Sequence, residues 1–201
     1  MINLAIIKSE LWTGKQFFWS LVVFMLFIAL SGSSYFQNFM VFDFEKVVVD
    51  KEYWRLFTSQ LVHWNLAHAI SNMAVFMGAI WLISSTEIWR SIVLLLLLML
   101  VMGLALLVVN PSALYAGFSA NLYGLVVFLV LSMKSVSLRI RWLVVAVILV
   151  KLILEWFEFI STQSMSDLIE ASVATEMHLL AVVFSLLFYV VIERFIVSRN
   201  A

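Results

Sequence analysis

Residues Ile92–Val109 read IVLLLLLMLVMGLALLVV, 18 residues without a single charged or hydrogen-bonding side chain. A hydrocarbon core about 30 Å thick takes roughly 20 apolar residues in a helix, so this run is expected to cross a membrane. Similar segments lie on both sides of it. Phe17–Tyr35 and Leu61–Ile83 precede it, and Tyr115–Met133, Ile140–Ile160 and Met177–Val197 follow it. Only helices or closed barrels satisfy their backbone in lipid, and segments of this length are helical. The expected fold is an all-α membrane protein, a bundle of six transmembrane helices forming one domain over residues 1–201. No soluble domain fits between the segments, and no internal repeat is visible.

Composition agrees. The chain is 65% hydrophobic and 12% charged, with a mean hydropathy of +1.10, whereas a soluble domain carries about 25% charge. One proline, six glycines and no low-complexity tract exclude a disordered or linker-rich protein. Twelve basic residues balance twelve acidic ones, so nucleic acid is not an expected partner. The absence of cysteine removes disulfides, thiolate metal sites and cysteine nucleophiles together. The first apolar segment follows Lys8 and Lys15 but has no small-residue cleavage pattern, so it reads as a retained signal anchor.

Basic residues next to the spans set the orientation. With the N-terminus inside, Lys8, Lys15, Arg90, Lys134, Arg139, Arg141, Arg194 and Arg199 all fall on the cytoplasmic side. Lys46, Lys51 and Arg55 fall outside, and Lys151 lies within the fifth span. The outer loops are acidic, with Asp43, Glu45, Asp50 and Glu52 in the first and Asp167, Glu170 and Glu176 in the last. Both termini are expected in the cytoplasm.

Polar groups inside spans are costly without partners, which makes them informative. The second span opens His63-Trp64-Asn65-Leu66-Ala67-His68-Ala69-Ile70-Ser71-Asn72. On a helix, His68 and Asn72 lie about 40° apart and share a face, while His63 is about 140° from His68. That spacing, with no carboxylate in the segment, argues against a zinc hydrolase. Taken alone, these residues read as interhelical hydrogen-bonding glue, and a lone Ser119 as a hydroxyl bonded to its own helix.

The segment before the fourth span reads Asn110-Pro111-Ser112-Ala113-Leu114-Tyr115-Ala116-Gly117-Phe118-Ser119-Ala120-Asn121-Leu122-Tyr123-Gly124. Pro111 breaks helix and Gly117 permits close backbone approach, so Ser119 falls in the first turns of a new helix. Free N–H groups and the positive dipole end there suit a nucleophile that develops negative charge. Tyr123 follows one turn later on the same face. Ala120 and Gly124 form a small-residue pair, as do Ala181 and Ser185 after His178. Such pairs bring helices close, which would put His178 within reach of Ser119.

With these residues in place, the sequence resembles the rhomboid family of intramembrane serine proteases across essentially its whole length. Trp54-Arg55 looks like the tryptophan–arginine motif of the family's first outer loop. His63, His68 and Asn72 match its histidine–x4–histidine–x3–asparagine signature. Gly117-Phe118-Ser119 resembles the glycine–x–serine nucleophile motif, with Tyr123 below the general base and His178 in that base's position. Two departures stand out: Ala120 occupies the usual glycine after the serine, and Ala181 and Ser185 replace a glycine pair.

The resemblance implies a six-helix rhomboid-like bundle that cleaves other proteins' single transmembrane segments near the outer membrane face. Ser119 would be the nucleophile and His178 the base. His68, Asn72 and the Ser119 backbone N–H would hold the oxyanion. His63 would order the first outer loop, and Trp54 and Arg55 would be structural. No metal or cofactor is implied; the partners are membrane-protein clients and the bilayer. The acidic segment from Ser161 to Glu176 reads as a cap, Trp156, Phe157 and Phe159 as a lateral gate, and Lys151 and Glu155 as an i, i+4 ion pair. The short chain is similar to the rhombosortase subgroup, which processes proteins with a glycine–glycine C-terminal sorting segment. Localisation in a bacterial inner membrane fits the topology. The competing reading is a pseudoprotease that binds client helices without cutting them. A transporter is disfavoured because the spans show no inverted repeat.

Overall fold

The computed structural model describes residues 33–83, 87–109 and 114–199, together with Val22, Leu26 and Leu30 of the first apolar segment. The expected first span, Lys8, Lys15 and Pro111 otherwise lie outside the described residues. Among these residues the secondary structure is helical, apart from one antiparallel bridge between Phe42 and Tyr115. Three short helices, α1 (Ser34–Met40), α2 (Phe44–Val48) and α3 (Arg55–Thr58), build the segment that precedes the longer helices. The longer ones are α4 (Leu66–Leu82), α5 (Ile88–Val109), α6 (Ser119–Ser132), α7 (Leu138–Trp156) and α9 (Thr175–Arg199), with the short α8 (Gln163–Ile169) between the last two.

The centre of the bundle is α6. Ala120, Asn121, Leu122, Gly124, Leu125, Val127, Phe128, Leu129 and Leu131 are all buried, so it is enclosed on every side. Its most extensive contact is with α9, and α4, α5 and α7 complete the surround. At Gly124 the two helices close in: an added Cβ would lie 2.6 Å from Ser185 Oγ and 3.1 Å from the Ala181 carbonyl oxygen. The small residues on α9 are therefore what Gly124 packs against. Further out, Leu96, Leu100, Leu104 and Val108 make an uncovered i, i+4 stripe on α5, and Leu187, Val191 and Phe195 are similarly exposed on α9. Continuous apolar surface of this kind needs a lipid or protein cover.

Helices α5 (Ile88–Val109) and residues Thr175–Phe195 of α9 are long and apolar enough to cross a membrane; α4 and α6 are apolar but shorter. Helix α7 carries Arg139, Arg141, Lys151 and Glu155 among its apolar residues. Two expected segments start late. Residues 61–65 are loop, because Asn65 caps α4 by accepting the His68 backbone N–H at 2.8 Å. Tyr115–Phe118 is also non-helical, because Tyr115 pairs with Phe42 and Gly117 takes φ +133°. Helix α6 is thus 14 residues long, about 21 Å at the helical rise, and its N-terminus lies within the bundle. Irregular backbone at that depth is tolerable where it lines a cavity.

Candidate active site

Ser119 is the first residue of α6 and His178 lies in the first turn of α9. The close approach at Gly124 brings them together: Ser119 Oγ and His178 Nε2 are 2.8 Å apart. In this pairing Nε2 serves as acceptor when Nδ1 carries the ring proton. His178 is buried, and its Nδ1 has no partner among the described residues. Below it, the Tyr123 ring lies 4.7 Å away between centroids, tilted by 33°.

From α4, His68 and Asn72 face the same site. A Cβ at Gly117 would lie 2.8 Å from His68 Cε1 and 3.9 Å from Asn72 Nδ2. The loop before Ser119 therefore runs directly over both side chains, held there by a Gly117 N–H to Ser59 carbonyl bond of 3.0 Å. Asn72 is buried, and its Nδ2 has no partner among the described residues. His63 is placed differently from the sequence expectation. It sits in the loop before α4, not on the helix, and its fully buried ring meets His68 edge-on at 4.9 Å. The expected angular separation of the two histidines fails because the helix does not include His63.

Trp54 and Arg55 lie at the start of α3. Buried Arg55 donates from Nη1 to the Val41 and Asn38 carbonyls at 2.7 and 3.0 Å and pairs through Nε with Glu52 at 2.5 Å. Trp54 donates to the Phe39 carbonyl at 3.2 Å and stacks on the Phe39 ring. Both therefore fasten the α1 segment to α3.

A cavity of about 700 Å³ opens on Ser119 and His178 and is also lined by Trp64, His68, Asn72, Tyr115 and Tyr123. The segment after α7 covers it with Thr162, Met165 and Ile169, and Asn65 Nδ2 fastens that segment by donating to the Leu168 carbonyl at 2.9 Å. The face of α7 turned to the cavity carries Ile148, Lys151 and Glu155. Trp156, Phe157 and Phe159, at the end of α7 and just after it, are exposed and do not line the cavity. Ala120 is fully buried against the α5 and α9 core.

A family model for the rhomboid domain matches residues 50–195, which contain every residue of this site. The chain belongs to the rhomboid family. It is accordingly an integral membrane protein, and its family acts on membrane-protein substrates within the bilayer. Rhomboids are usually intramembrane serine proteases, although inactive members exist. No individual curated protein matches the chain.

Three features of this rhomboid escape a reading by motif. Asn121 donates to Gln60 Oε1 at 2.8 Å, and Gln60 in turn donates to the Leu56 and Met99 carbonyls at 2.7 and 2.8 Å. This buried network ties α6 to α3 and to α5. Asn65 acts at once as a helix cap and as a tether for the cap segment. Lys151 reaches beyond Glu155 to Tyr123. The available signal was only that Gln60 and Asn121 are amides beside apolar segments; the two lie 61 residues apart in sequence.

Proposed function

We propose that this rhomboid is an active intramembrane serine endopeptidase working through a Ser119–His178 dyad. The observation that carries the reading is the 2.8 Å contact between Ser119 Oγ and His178 Nε2 inside a covered cavity. Ser119 Oγ attacks the scissile carbonyl while His178 Nε2 takes its proton and then gives it to the leaving amine. Water completes hydrolysis of the acyl-enzyme. The oxyanion forms near Gly117, where Asn72 Nδ2, His68 and the Ser119 N–H supply donors. Tyr123 replaces a carboxylate as the group that orients the base.

The substrate is the transmembrane segment of a membrane-anchored protein, admitted between α7 and its neighbours and cut near the outer face. Within that class, processing of C-terminal sorting segments, as by rhombosortases, is the finer assignment. The chain resides in a bacterial inner membrane as six spans with both termini in the cytoplasm.

A fluorophosphonate probe tests the reading without a known client. Wild-type protein in lipid is expected to label covalently, and Ser119→Ala and His178→Ala are expected not to label. Folded wild-type protein that stays unlabelled would instead favour a pseudoprotease, whose client binding should survive Ser119→Ala.

A further inference from the structure

A lysine in an apolar helix requires a reason, because its charge is costly at membrane depth. Glu155 answers part of that cost, with Lys151 Nζ donating to Oε1 at 2.7 Å one turn along α7. An i, i+4 pair of this kind is self-sufficient. The geometry holds a second bond that the pair does not need: Lys151 Nζ also donates to Tyr123 Oη on α6 at 3.1 Å, and its ammonium lies 5.6 Å from the Tyr123 ring centroid. Lys151 lies five residues before the end of α7 and His178 three residues into α9, so both sit near the helix ends that flank α8.

Tyr123 is the ring on which His178 rests. His178 is otherwise fixed through Nε2 by Ser119, and its Nδ1 has no partner among the described residues. Whatever holds the Tyr123 ring in place therefore limits where the base can move. The chain of contacts runs from Glu155 through Lys151 and Tyr123 to His178 and Ser119, crossing from α7 to α6 to α9.

We propose that Lys151 is a positioning residue that locks Tyr123 beneath His178, and that Glu155 holds Lys151 for this purpose. Resting on the protease reading, this assigns to an ion pair on α7 the orienting task that a carboxylate performs in a three-membered site. No proton passes along the chain. Lys151 acts by geometry alone.

A double-mutant cycle decides it. Fluorophosphonate labelling rates are compared for wild type, Lys151→Met, Tyr123→Phe and the double variant, with Lys151→Arg as the conservative control. Each single variant is expected to label about 10-fold more slowly, the order for loss of one charge-assisted hydrogen bond. The double variant is expected to be no slower than either single, because both remove the same contact. Lys151→Arg is expected to recover most of the rate. For a cleavable client, kcat is expected to fall with KM unchanged. Wild-type labelling with unaffected Lys151→Met, or with effects that multiply, overturns the positioning role. So does a raised KM with an unchanged labelling rate, which would make Lys151 a client contact. An unlabelled wild type overturns the protease reading itself. Should Lys151→Met unfold, Tyr123→Phe with Lys151→Arg carries the test, since both keep the ring and the charge.

Discussion

Gly117 holds φ at +133°, a region that side-chain-bearing residues rarely adopt, and a Cβ there would also press on His68 Cε1 at 2.8 Å. Gly117→Ala must move either the loop that delivers Ser119 or the imidazole beside it. A displacement of about 1 Å in an active site costs on the order of 100-fold. Fluorophosphonate labelling is expected to slow by at least about that factor, while circular dichroism in detergent stays helical. Asn72→Ala tests the other half of the same corner. In the proposed mechanism Asn72 is an oxyanion donor, and removal of one such donor lowers kcat by about 10²–10³-fold; measured client cleavage is expected to fall in that range with KM little changed. At this scale much was legible, because Ser119, His178, His68, Asn72 and Gly117 carry motif spacing that survives in one dimension. The Lys151 to Tyr123 bond was not legible, since the two residues are 28 positions apart and only packing brings them together.

Helix boundaries followed local chemistry more closely than hydropathy did. An apolar window cannot see that Asn65 starts α4 or that the Tyr115 bridge to Phe42 delays α6. Those delays leave Trp64, Tyr115 and Ala116 in loops that line the cavity. The small residues on α6 and α9 were legible as a pair, and their contact proves tight: a Cβ at Gly124 meets Ser185 Oγ at 2.6 Å and Leu98 Cδ1 at 2.8 Å. Alanine there needs rotation of those two side chains and a few tenths of an ångström of movement from the Ala181 carbonyl, 3.1 Å from the added Cβ. A branched residue cannot, and overpacking of this kind costs about 1–3 kcal/mol. Gly124→Val is therefore expected to lower the thermal midpoint in detergent and to slow labelling, because α9 carries His178 away from Ser119. Gly124→Ala should change both far less.

Across the whole molecule, charge decides what packing leaves open. The structure relates the helices to one another, while the direction of the bundle in a membrane depends on where basic residues collect. Lys134, Arg139 and Arg141 lie around the turn between α6 and α7, and Asp167, Glu170 and Glu176 lie around α8 and the start of α9, at the opposite end of the bundle. A membrane that holds basic loops inside puts the cavity and its acidic cover at the outer face. The chain contains no cysteine, so single introduced thiols report their side without background. Ser164 on α8 and Ser135 in the turn after α6 are both exposed serines, close in size to cysteine. In intact cells, a membrane-impermeant maleimide is expected to label Ser164→Cys and to spare Ser135→Cys until the membrane is opened. The reverse pattern would invert the bundle and place the dyad near the cytoplasmic face. Equal labelling of both would mean that α7 does not cross, since it is the helix that separates the two positions.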